Sequence, residues 1–445
     1  MRWRVSFKKV AYTVLGLYFL VSCYTGYLLI KRRLTKEKLE FARIRNLADF
    51  QDDDHEWNPW GEAFENDDQP QKFEQPQFVL GRERPLGNMR GHQGGFPNLN
   101  RSQEFEVEIW GKAAIGLYLW EHILNGELET KLGGAWSYGF KRVGNLKLRF
   151  RTGPGVIPSK VPKTVENLIL VLNGREPSKI DFAKLWLDHL PTFRQLRNVA
   201  VFLLGNEQCD NEWIKPYMEF MGGIVKFVYL VYDSPDIDDV NFYQWPLGVA
   251  TYRDFPKVDS AHLPIEIHRK YSCNFLGTIY RNSSREKLVE TLKEGQYQDM
   301  CYVRARYEWL PKESADSRDD YLRALAQSDM TLSPVGQNTE CYRIYEAMSY
   351  GSIPVVEDAM TPGQCGASKS SANFPLRLLK QYKAPVIYVK NWSELAGLLK
   401  NERQLTQQQK AARRREIIRW YENFKSQMRD KFAWTVLERF FKVKR

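Results

Sequence analysis

The chain has 445 residues, of which 43% are hydrophobic, so it is long and apolar enough for two packed domains and a tail. Its formal net charge of +11 suits a nucleic acid, a membrane surface or an anionic substrate. Nucleic acid is the weakest of these three partners, because no basic cluster interleaved with stacking aromatic residues stands out.

A single apolar run occupies residues 10–30, and basic residues flank it on both sides. This length can span a bilayer, but basic flanks at both ends leave its orientation open. No small-residue cleavage site follows the run, so we expect an uncleaved anchor rather than a signal peptide. A short tail, 1–9, would precede the anchor. The stem, 31–104, becomes rich in Gln, Asp, Pro and Gly, which is typical of an extended or disordered spacer.

Two further features agree with a body on the lumenal side of a membrane. Asn100, Asn282 and Asn391 each begin an Asn-x-Ser triplet, the acceptor pattern for N-glycosylation. Five cysteines lie beyond the anchor, and an odd number requires that at least one is free or paired between chains if the others form disulfides. Their connectivity cannot be read from the sequence, and none has metal-ligand spacing with a histidine.

The residues after the stem predict a doubly wound α/β lobe over 105–261. Its strongest strands are the near-continuous apolar runs 167–172, 198–204 and 225–231, with shorter candidates at 107–110 and 146–150. Helical patterns at 181–193 and 211–221 alternate with them. Segment 244–258 contains two prolines and a glycine, and we expect it to cross to a second lobe.

The second lobe is expected over 262–403, again with alternating strands and helices. Strands are predicted at 271–276, 300–303, 330–332, 353–356 and 385–389, and helices at 283–294, 321–327 and 392–399. From 404 to 445 a basic helical pattern carries one apolar stripe. We expect these C-terminal helices to pack back on the body, and a helix lying on a membrane is the alternative.

Segment 328–358 is the most informative stretch, because it has the pattern strand, loop, helix, strand. Gly336 marks a loop after the first strand, Asn338 or Thr339 can cap a helix that runs to Tyr350, and Gly351 can end it. Ligands of open α/β sheets bind at the carboxyl ends of the strands, where this loop lies.

Arg343 and Glu346 share one face of the predicted helix because they are three residues apart. An arginine beside the free N–H groups of a helix N-terminus suits a diphosphate, and a carboxylate one turn later can accept hydrogen bonds from ribose hydroxyls. The alternative is an ordinary ion pair on a helix surface. Together with the glycine loop, the cap and the apolar strand, the pair favours a nucleotide site.

Residues 343–356, RIYEAMSYGSIPVV, resemble the nucleotide-sugar motif of exostosin-like GT-B glycosyltransferases. Five other stretches together resemble the Golgi xylosyltransferases that build the O-mannosyl glycan of α-dystroglycan. They are IWGKAAIGLYLWE at 109–121, LGNE at 204–207, YDSP at 232–235, QWPLGVATY at 244–252 and NFLGTIY at 274–280.

This resemblance implies a GT-B fold, with two Rossmann-like lobes facing a cleft, in a type II protein of the Golgi membrane. It implies UDP-xylose as donor and a ribitol-phosphate-bearing glycan of α-dystroglycan as acceptor. A complex with other Golgi glycosyltransferases of the same pathway is a further expectation. GT-B enzymes generally neutralise the diphosphate with helix N-termini and basic side chains, so no cofactor or divalent metal is expected.

The motif match assigns Arg343 to the diphosphate and Glu346 to the ribose. Gly277 and Thr278 lie on the first βα loop of the second lobe and could meet the phosphates. Further donor contacts are expected from the loop and strand ends around the motif, namely Ser333, Gly336 and Glu357. Glu357 could equally be a solvated loop edge.

The catalytic base of an inverting transferase is expected to be a carboxylate on the first lobe, facing the cleft. Asp233 is the first candidate, because it ends the strongest apolar strand, and Glu207 is the second; capping the turn before Pro235 is the alternative role of Asp233. An anionic acceptor needs basic groups, and the candidates are Lys112, Arg175 and Arg253. Each of these three is otherwise a surface charge.

Two rival functions remain. Asp236 and Asp238 form an Asp-x-Asp pattern, which in a metal-dependent GT-A transferase binds Mn²⁺ through the diphosphate. The two-lobe pattern favours GT-B, and sensitivity to EDTA would separate the two classes. A non-catalytic membrane-anchored lectin or assembly scaffold would be expected to have lost its nucleotide-binding residues, yet Arg343, Glu346 and Gly351 are present.

Overall fold

The structure, a computed structural model, describes residues 103–131, 136–308, 314–361, 363, 365 and 375–444. The expected tail, the anchor at 10–30, nearly all of the stem and Asn100 lie outside the described residues. Within the described ranges, no helix combines the length and the apolar character needed to cross a bilayer.

The first lobe is built on an eight-stranded sheet with the order β2-β3-β4-β1-β5-β6-β7-β8. Strands β1 and β4 to β8 run parallel, and β2 and β3 add antiparallel pairs at one edge. The strands are β1 Phe105–Gly111, β2 Glu129–Lys131, β3 Trp136–Val143, β4 Leu146–Thr152, β5 Asn167–Asn173, β6 Asn198–Leu204, β7 Val225–Val231 and β8 Phe242–Trp245.

The three long apolar runs are confirmed as the central strands β5, β6 and β7. They are apolar along most of their length because both faces of the sheet are covered, and all seven residues of β6 are buried. Helix α2, Pro177–His189, covers one face. The other face carries a short helical segment, made of α1 (Ile115–Leu117) and a π-helix (Tyr118–Ile123), together with the C-terminal helix described below.

The prediction of a helix at 211–221 is wrong. The segment forms two 3₁₀ turns, Glu212–Tyr217 and Glu219–Met221, instead. Pro216 lies inside the first turn and has no N–H to donate, which prevents a continuous α-helix. Beyond these turns, β8 ends the first sheet at Trp245, and a connecting segment leads to the second sheet at Tyr271.

The second lobe contains five parallel strands in the order β10-β9-β11-β12-β13. The strands are β9 Tyr271–Thr278, β10 Cys301–Arg306, β11 Ser328–Ser333, β12 Ile353–Glu357 and β13 Ile387–Val389. The helices are α3 Ser284–Glu294, α4 Ala315–Gln327, α5 Tyr342–Ser349, α6 Arg377–Gln381 and α7 Leu395–Gln404. All five strands of this lobe were predicted within a few residues of their ends.

The start of helix α5 differs from the prediction, and its end agrees. Cys341, not Asn338 or Thr339, precedes the first helical residue, and its side chain makes no capping hydrogen bond. The Thr339 hydroxyl is used elsewhere, since it donates to the carbonyl of Ala359 at 2.5 Å. Gly351 follows the helix with a φ of +67°, the left-handed conformation that ends helices and that glycine adopts at least cost.

Helix α8, Gln407–Phe441, has 35 residues and packs against both lobes. The Tyr421 hydroxyl lies 3.2 Å from that of Tyr118 in the first lobe. Ile418 packs against Gly351 in the second lobe, where an added Cβ would come within 2.8 Å of it. The apolar stripe of α8 is therefore buried in the protein rather than offered to a membrane.

Candidate active site

A cavity of about 580 Å³ lies between the two lobes, a volume typical of small-molecule sites. The strand ends position its walls. Arg175 follows β5, Glu207 follows β6 and Tyr232 follows β7, while Gly277 lies at the end of β9 and Gly336 after β11. These are carboxyl ends of parallel strands, where open α/β sheets bind their ligands.

The cavity is strongly cationic. The described residues that line it include seven arginines against four carboxylates, which leaves a surplus of three positive charges. The arginines are Arg175, Arg253, Arg285, Arg304, Arg306, Arg318 and Arg343, and the carboxylates are Glu207, Asp320, Glu340 and Glu346. The wall also contains apolar and aromatic side chains. The cavity therefore suits a ligand that combines several negative charges with a less polar group.

Arg343 lies in the cavity wall at the start of α5, as the motif predicts. Its Nη2 donates to the carbonyl of Leu276 at 2.9 Å, and its guanidinium lies 5.1 Å from the ring centre of Phe275. A Cβ on Gly277 would come within 2.9 Å of that Nη2. The glycine therefore leaves room for the guanidinium beside the β9 loop.

Arg285 is a second cation beside Arg343, and the sequence analysis missed it. It is buried in α3, and its Nη1 donates to the carbonyl of Thr278 at 3.1 Å. Burial lowers the pKa of Arg285 to about 10, and repulsion by Arg343 contributes. An anion between the two guanidinium groups would relieve this repulsion. In the sequence, the signal for Arg285 was its position in the first turn of the helix after the β9 loop.

Glu346 also lines the cavity, and both of its oxygens already accept hydrogen bonds. Oε1 accepts from the backbone N–H of Ala250 at 3.0 Å, and Oε2 accepts from the Tyr321 hydroxyl at 2.5 Å. Burial raises the pKa of this carboxyl, although these two donors oppose the shift. Glu346 thus joins the connecting segment, α4 and α5 around the cavity, and its contact with a ribose stays a prediction.

Ser333 and Glu357 are not among the residues that line the cavity, unlike Thr278 and Gly336. Glu357 accepts hydrogen bonds from the N–H of Val335 at 2.9 Å and from Nε1 of Trp392 at 3.2 Å. Glu357 therefore supports the loop after β11 from outside the cavity. The sequence had predicted a contact between Glu357 and the donor sugar instead. Ser333 is buried at the end of β11.

The two carboxylates predicted as bases lie in different environments. Glu207 lines the cavity, and its Oε1 lies 3.0 Å from the Tyr232 hydroxyl and 3.4 Å from Nη2 of Arg175. Asp233 does not line the cavity. It forms an ion pair of 3.1 Å with Arg377 of the second lobe, and burial raises its pKa to about 6 although Arg377 opposes the shift.

Two of the three predicted acceptor cations reach the cavity. Arg175 and Arg253 line it, whereas Lys112 does not. The Lys112 ammonium lies 3.3 Å from the carbonyl of Gly153 and 5.7 Å from the ring centre of Phe182, inside the first lobe. Burial there lowers the pKa of Lys112 to about 7. The structure thus places Lys112 away from any acceptor in this cavity.

The Asp-x-Asp pair is engaged in local structure. Oδ1 of Asp238 accepts the backbone N–H groups of Val240, Asn241 and Phe242, and Asp236 forms a 3.0 Å ion pair with Lys215. In the described part of the chain, no three side chains among His, Cys, Asp and Glu are grouped to hold a metal ion.

Two disulfides fix the cysteine pairing that the sequence left open. Cys273–Cys301 joins the neighbouring strands β9 and β10, and Cys209–Cys365 joins the two lobes beside the cavity. Cys341 is the free cysteine among the described residues. Of the glycosylation candidates, Asn282 and Asn391 are both exposed.

Comparison with known proteins identifies the family. Residues 107–246 match the RXYLT1 N-terminal domain, and residues 252–441 match the RXYLT1 C-terminal domain. Two solved structures, the catalytic domain of starch synthase IV from Arabidopsis thaliana and an α1,3-fucosyltransferase, align with TM-scores of 0.36 and 0.37, which are too low to carry an argument.

Three relatives carry the name ribitol-5-phosphate xylosyltransferase 1. The Danio rerio protein is 47% identical over 87% of this chain and 87% of its own length. The Homo sapiens protein is 42% identical over 98% of both chains, and the Mus musculus protein is 44% identical over 87% of this chain and 84% of its own. The chain therefore belongs to the ribitol-5-phosphate xylosyltransferase family.

Proposed function

We propose that this protein transfers xylose from UDP-xylose to ribitol 5-phosphate on the O-mannosyl glycan of α-dystroglycan, with inversion at the anomeric carbon. As a family member, the protein is a xylosyltransferase that acts on ribitol phosphate. The donor nucleotide, the carrier glycan and the stereochemistry are the parts that we add.

One observation carries the proposal: the cavity between the lobes has a surplus of three positive charges. The diphosphate of a UDP-sugar carries about two negative charges, and a phosphodiester of ribitol phosphate carries about one. The two substrates together would therefore neutralise the cavity.

The diphosphate is assigned to Arg343 and Arg285, next to the N-terminus of α5. Their guanidinium groups can form charge-assisted hydrogen bonds with the phosphate oxygens, and the helix N–H groups add to them. The same contacts stabilise the charge that develops on UDP as the bond to the sugar breaks, which lowers the barrier. Gly277 and Gly336 let the backbone approach the nucleotide.

The acceptor is assigned to the wall of the first lobe and the connecting segment. Arg175 and Arg253 line the cavity there and can hold the phosphate of ribitol phosphate. Arg175 is fixed by Glu207 and Tyr232, so its position does not depend on the ligand. This division gives each lobe one substrate.

The proposal includes a type II Golgi membrane protein with a lumenal catalytic part. The apolar run 10–30, the exposed acceptor asparagines Asn282 and Asn391, and the two disulfides support it. Disulfides persist in oxidising compartments such as the secretory pathway. Association with other Golgi glycosyltransferases of the same pathway stays a prediction.

The test is UDP release by the full-length protein in detergent, with a panel of UDP-sugars, with and without a ribitol-phosphate acceptor and EDTA. We expect acceptor-dependent release from UDP-xylose that EDTA does not change. Arg343→Ala should abolish most of it, whereas Arg419→Ala, at an exposed arginine of α8, should not. Release only from another UDP-sugar would refute the donor assignment, and loss with EDTA would favour a metal-dependent mechanism.

A further inference from the structure

Glu340 is a cavity carboxylate to which neither the sequence nor the preceding assignments give a role. It lies in the loop between β11 and α5, and the residue is 6% exposed. It is one of the four carboxylates in the wall of the cavity, together with Glu207, Asp320 and Glu346.

One oxygen of Glu340 is fixed, and the other is available. Oε1 accepts the backbone N–H of Leu247 at 2.9 Å and the hydroxyl of Tyr345. Leu247 belongs to the connecting segment between the lobes, and Tyr345 to α5, so the carboxylate is held from two sides. Oε2 receives no hydrogen bond and no ion pair from any residue that the structure describes. A carboxylate oriented in this way can accept a proton from a ligand in the cavity.

The two carboxylates expected from the sequence are less suitable for this task. Both oxygens of Asp233 are shielded from solvent, and its neighbour Arg377 forms an ion pair with it. Glu207 shares its Oε1 with the guanidinium of Arg175. An adjacent cation favours the charged form of a carboxylate and weakens it as a base.

The charges around Glu340 suit a base that works near neutral pH. Burial raises the pKa of its carboxyl to about 7, Asp233 contributes to the increase, and the hydrogen bonds from Leu247 and Tyr345 oppose it. The titratable groups that interact with it are Asp233 from the first sheet, Tyr345 from α5 and Tyr118 from the π-helix. A general base is most effective when its pKa is close to the working pH.

We propose that Glu340 is the general base of the transfer reaction. Its Oε2 takes the proton of the attacking acceptor hydroxyl while the hydroxyl oxygen bonds to the anomeric carbon of xylose. The bond between that carbon and the phosphate oxygen breaks, and its electron pair leaves with UDP. The proton stays on Glu340 until solvent removes it. This assignment rests on the proposed function, because it presupposes a sugar nucleotide and an acceptor hydroxyl in this cavity.

The first test is Glu340→Gln in the full-length protein, which preserves the shape of the side chain. We expect kcat to fall by about 10²- to 10⁴-fold, while the Kd for UDP, measured by calorimetry, changes by less than about threefold. A kcat above about a tenth of the wild-type value would refute the role of Glu340. If Glu207→Gln causes the greater loss of kcat, Glu207 is the base.

The second test is the pH profile of kcat/KM. Activity should fall as pH drops through about 7 in the wild type, because the base must be unprotonated. Tyr345→Phe removes a donor that lowers the pKa of Glu340, so this limb should move to higher pH by about one unit. If Tyr345 and Glu340 were only structural, the variant would lose activity at every pH and the limb would not move.

The two levels of the proposal fail in different ways. A wild-type protein that binds UDP but transfers no xylose would refute the proposed function. A wild-type protein that transfers xylose, with Glu340→Gln variants that are nearly as active, would refute only the assignment of the base. Thermal unfolding of each variant separates either outcome from misfolding.

Discussion

The disulfide Cys209–Cys365, which joins the two lobes, should contribute more to the free energy of unfolding than the disulfide within the second lobe. The two cysteines are 156 residues apart in sequence, whereas Cys273 and Cys301 are 28 apart. A disulfide lowers the conformational entropy of the unfolded chain, by an amount that grows with the length of the loop it closes, and this stabilises the folded state. On this model the first bond contributes about 5 kcal/mol to the free energy of unfolding, and the second about 3.5 kcal/mol.

The position of the bond predicts a second effect, on ligand binding. Cys209 lies two residues after Glu207, and Asn338 on the opposite lobe donates to the carbonyl of Glu207 at 2.8 Å. The disulfide thus holds the two walls of the cavity together. Replacing both cysteines by serine should weaken the binding of UDP-xylose and acceptor as well as lowering stability.

Urea denaturation followed by tryptophan fluorescence measures the first effect, and calorimetry with UDP measures the second. The matched control is the Cys273→Ser, Cys301→Ser variant, which loses a disulfide within the second lobe that does not join the two lobes. We expect the Cys209→Ser, Cys365→Ser variant to be the less stable of the two and the only one with weaker UDP binding. Equal stability losses and equal UDP affinities in the two variants would contradict the argument.

Other contacts described above lead to further predictions. Gly277→Ala should weaken UDP binding roughly tenfold, measured by calorimetry, because a Cβ there would displace the Arg343 guanidinium. Arg343→Ala should cost about 1.5–3 kcal/mol of UDP binding free energy in the same assay, with no comparable effect from Arg419→Ala. Glu346→Ala should lower the free energy of unfolding by about 1–3 kcal/mol in urea, because the buried Ala250 N–H and the Tyr321 hydroxyl would lose their acceptor. Phe432→Ala should cost about 3–5 kcal/mol in that assay, since Phe432 is fully buried against Phe202. An unchanged value in any of these measurements would contradict the corresponding contact.

The parts of the fold that follow from local pattern could be predicted from the sequence. The continuous apolar runs became β5, β6 and β7, because only strands covered on both faces need to be apolar throughout. Segment 211–221 has the apolar spacing of a helix, but Pro216 and the need to connect β6 with β7 favoured 3₁₀ turns. A prediction from apolar spacing alone leaves out the free-energy cost of a proline inside a helix.

The site could be predicted only where a motif names the residue. Arg343 could be predicted because it belongs to the motif at the start of α5. Arg285 could not, because it reaches the cavity only through the pairing of β9 with β11 in the sheet. Glu340 shows the limit more clearly. Its two donors, Leu247 and Tyr345, come from different parts of the chain, and only the connection between the lobes brings Leu247 to it. Asn338 does not cap the helix: its Oδ1 accepts the N–H of Glu340 at 2.9 Å within the loop, and its amide group donates to the Glu207 carbonyl on the other lobe at 2.8 Å.

The position of α8 at the end of the chain has a consequence for biosynthesis. Phe202, Tyr229 and Trp245 form an aromatic face of the first sheet, and Phe432 of α8 covers it. The ribosome completes that sheet long before it reaches α8, and the interval is on the order of tens of seconds at ordinary rates of synthesis. During this interval the aromatic face lacks the cover that α8 provides, which makes the nascent first lobe a substrate for chaperones. A premature stop just before residue 407 would make this exposure permanent, so the loss of one helix should be as damaging as the loss of a domain.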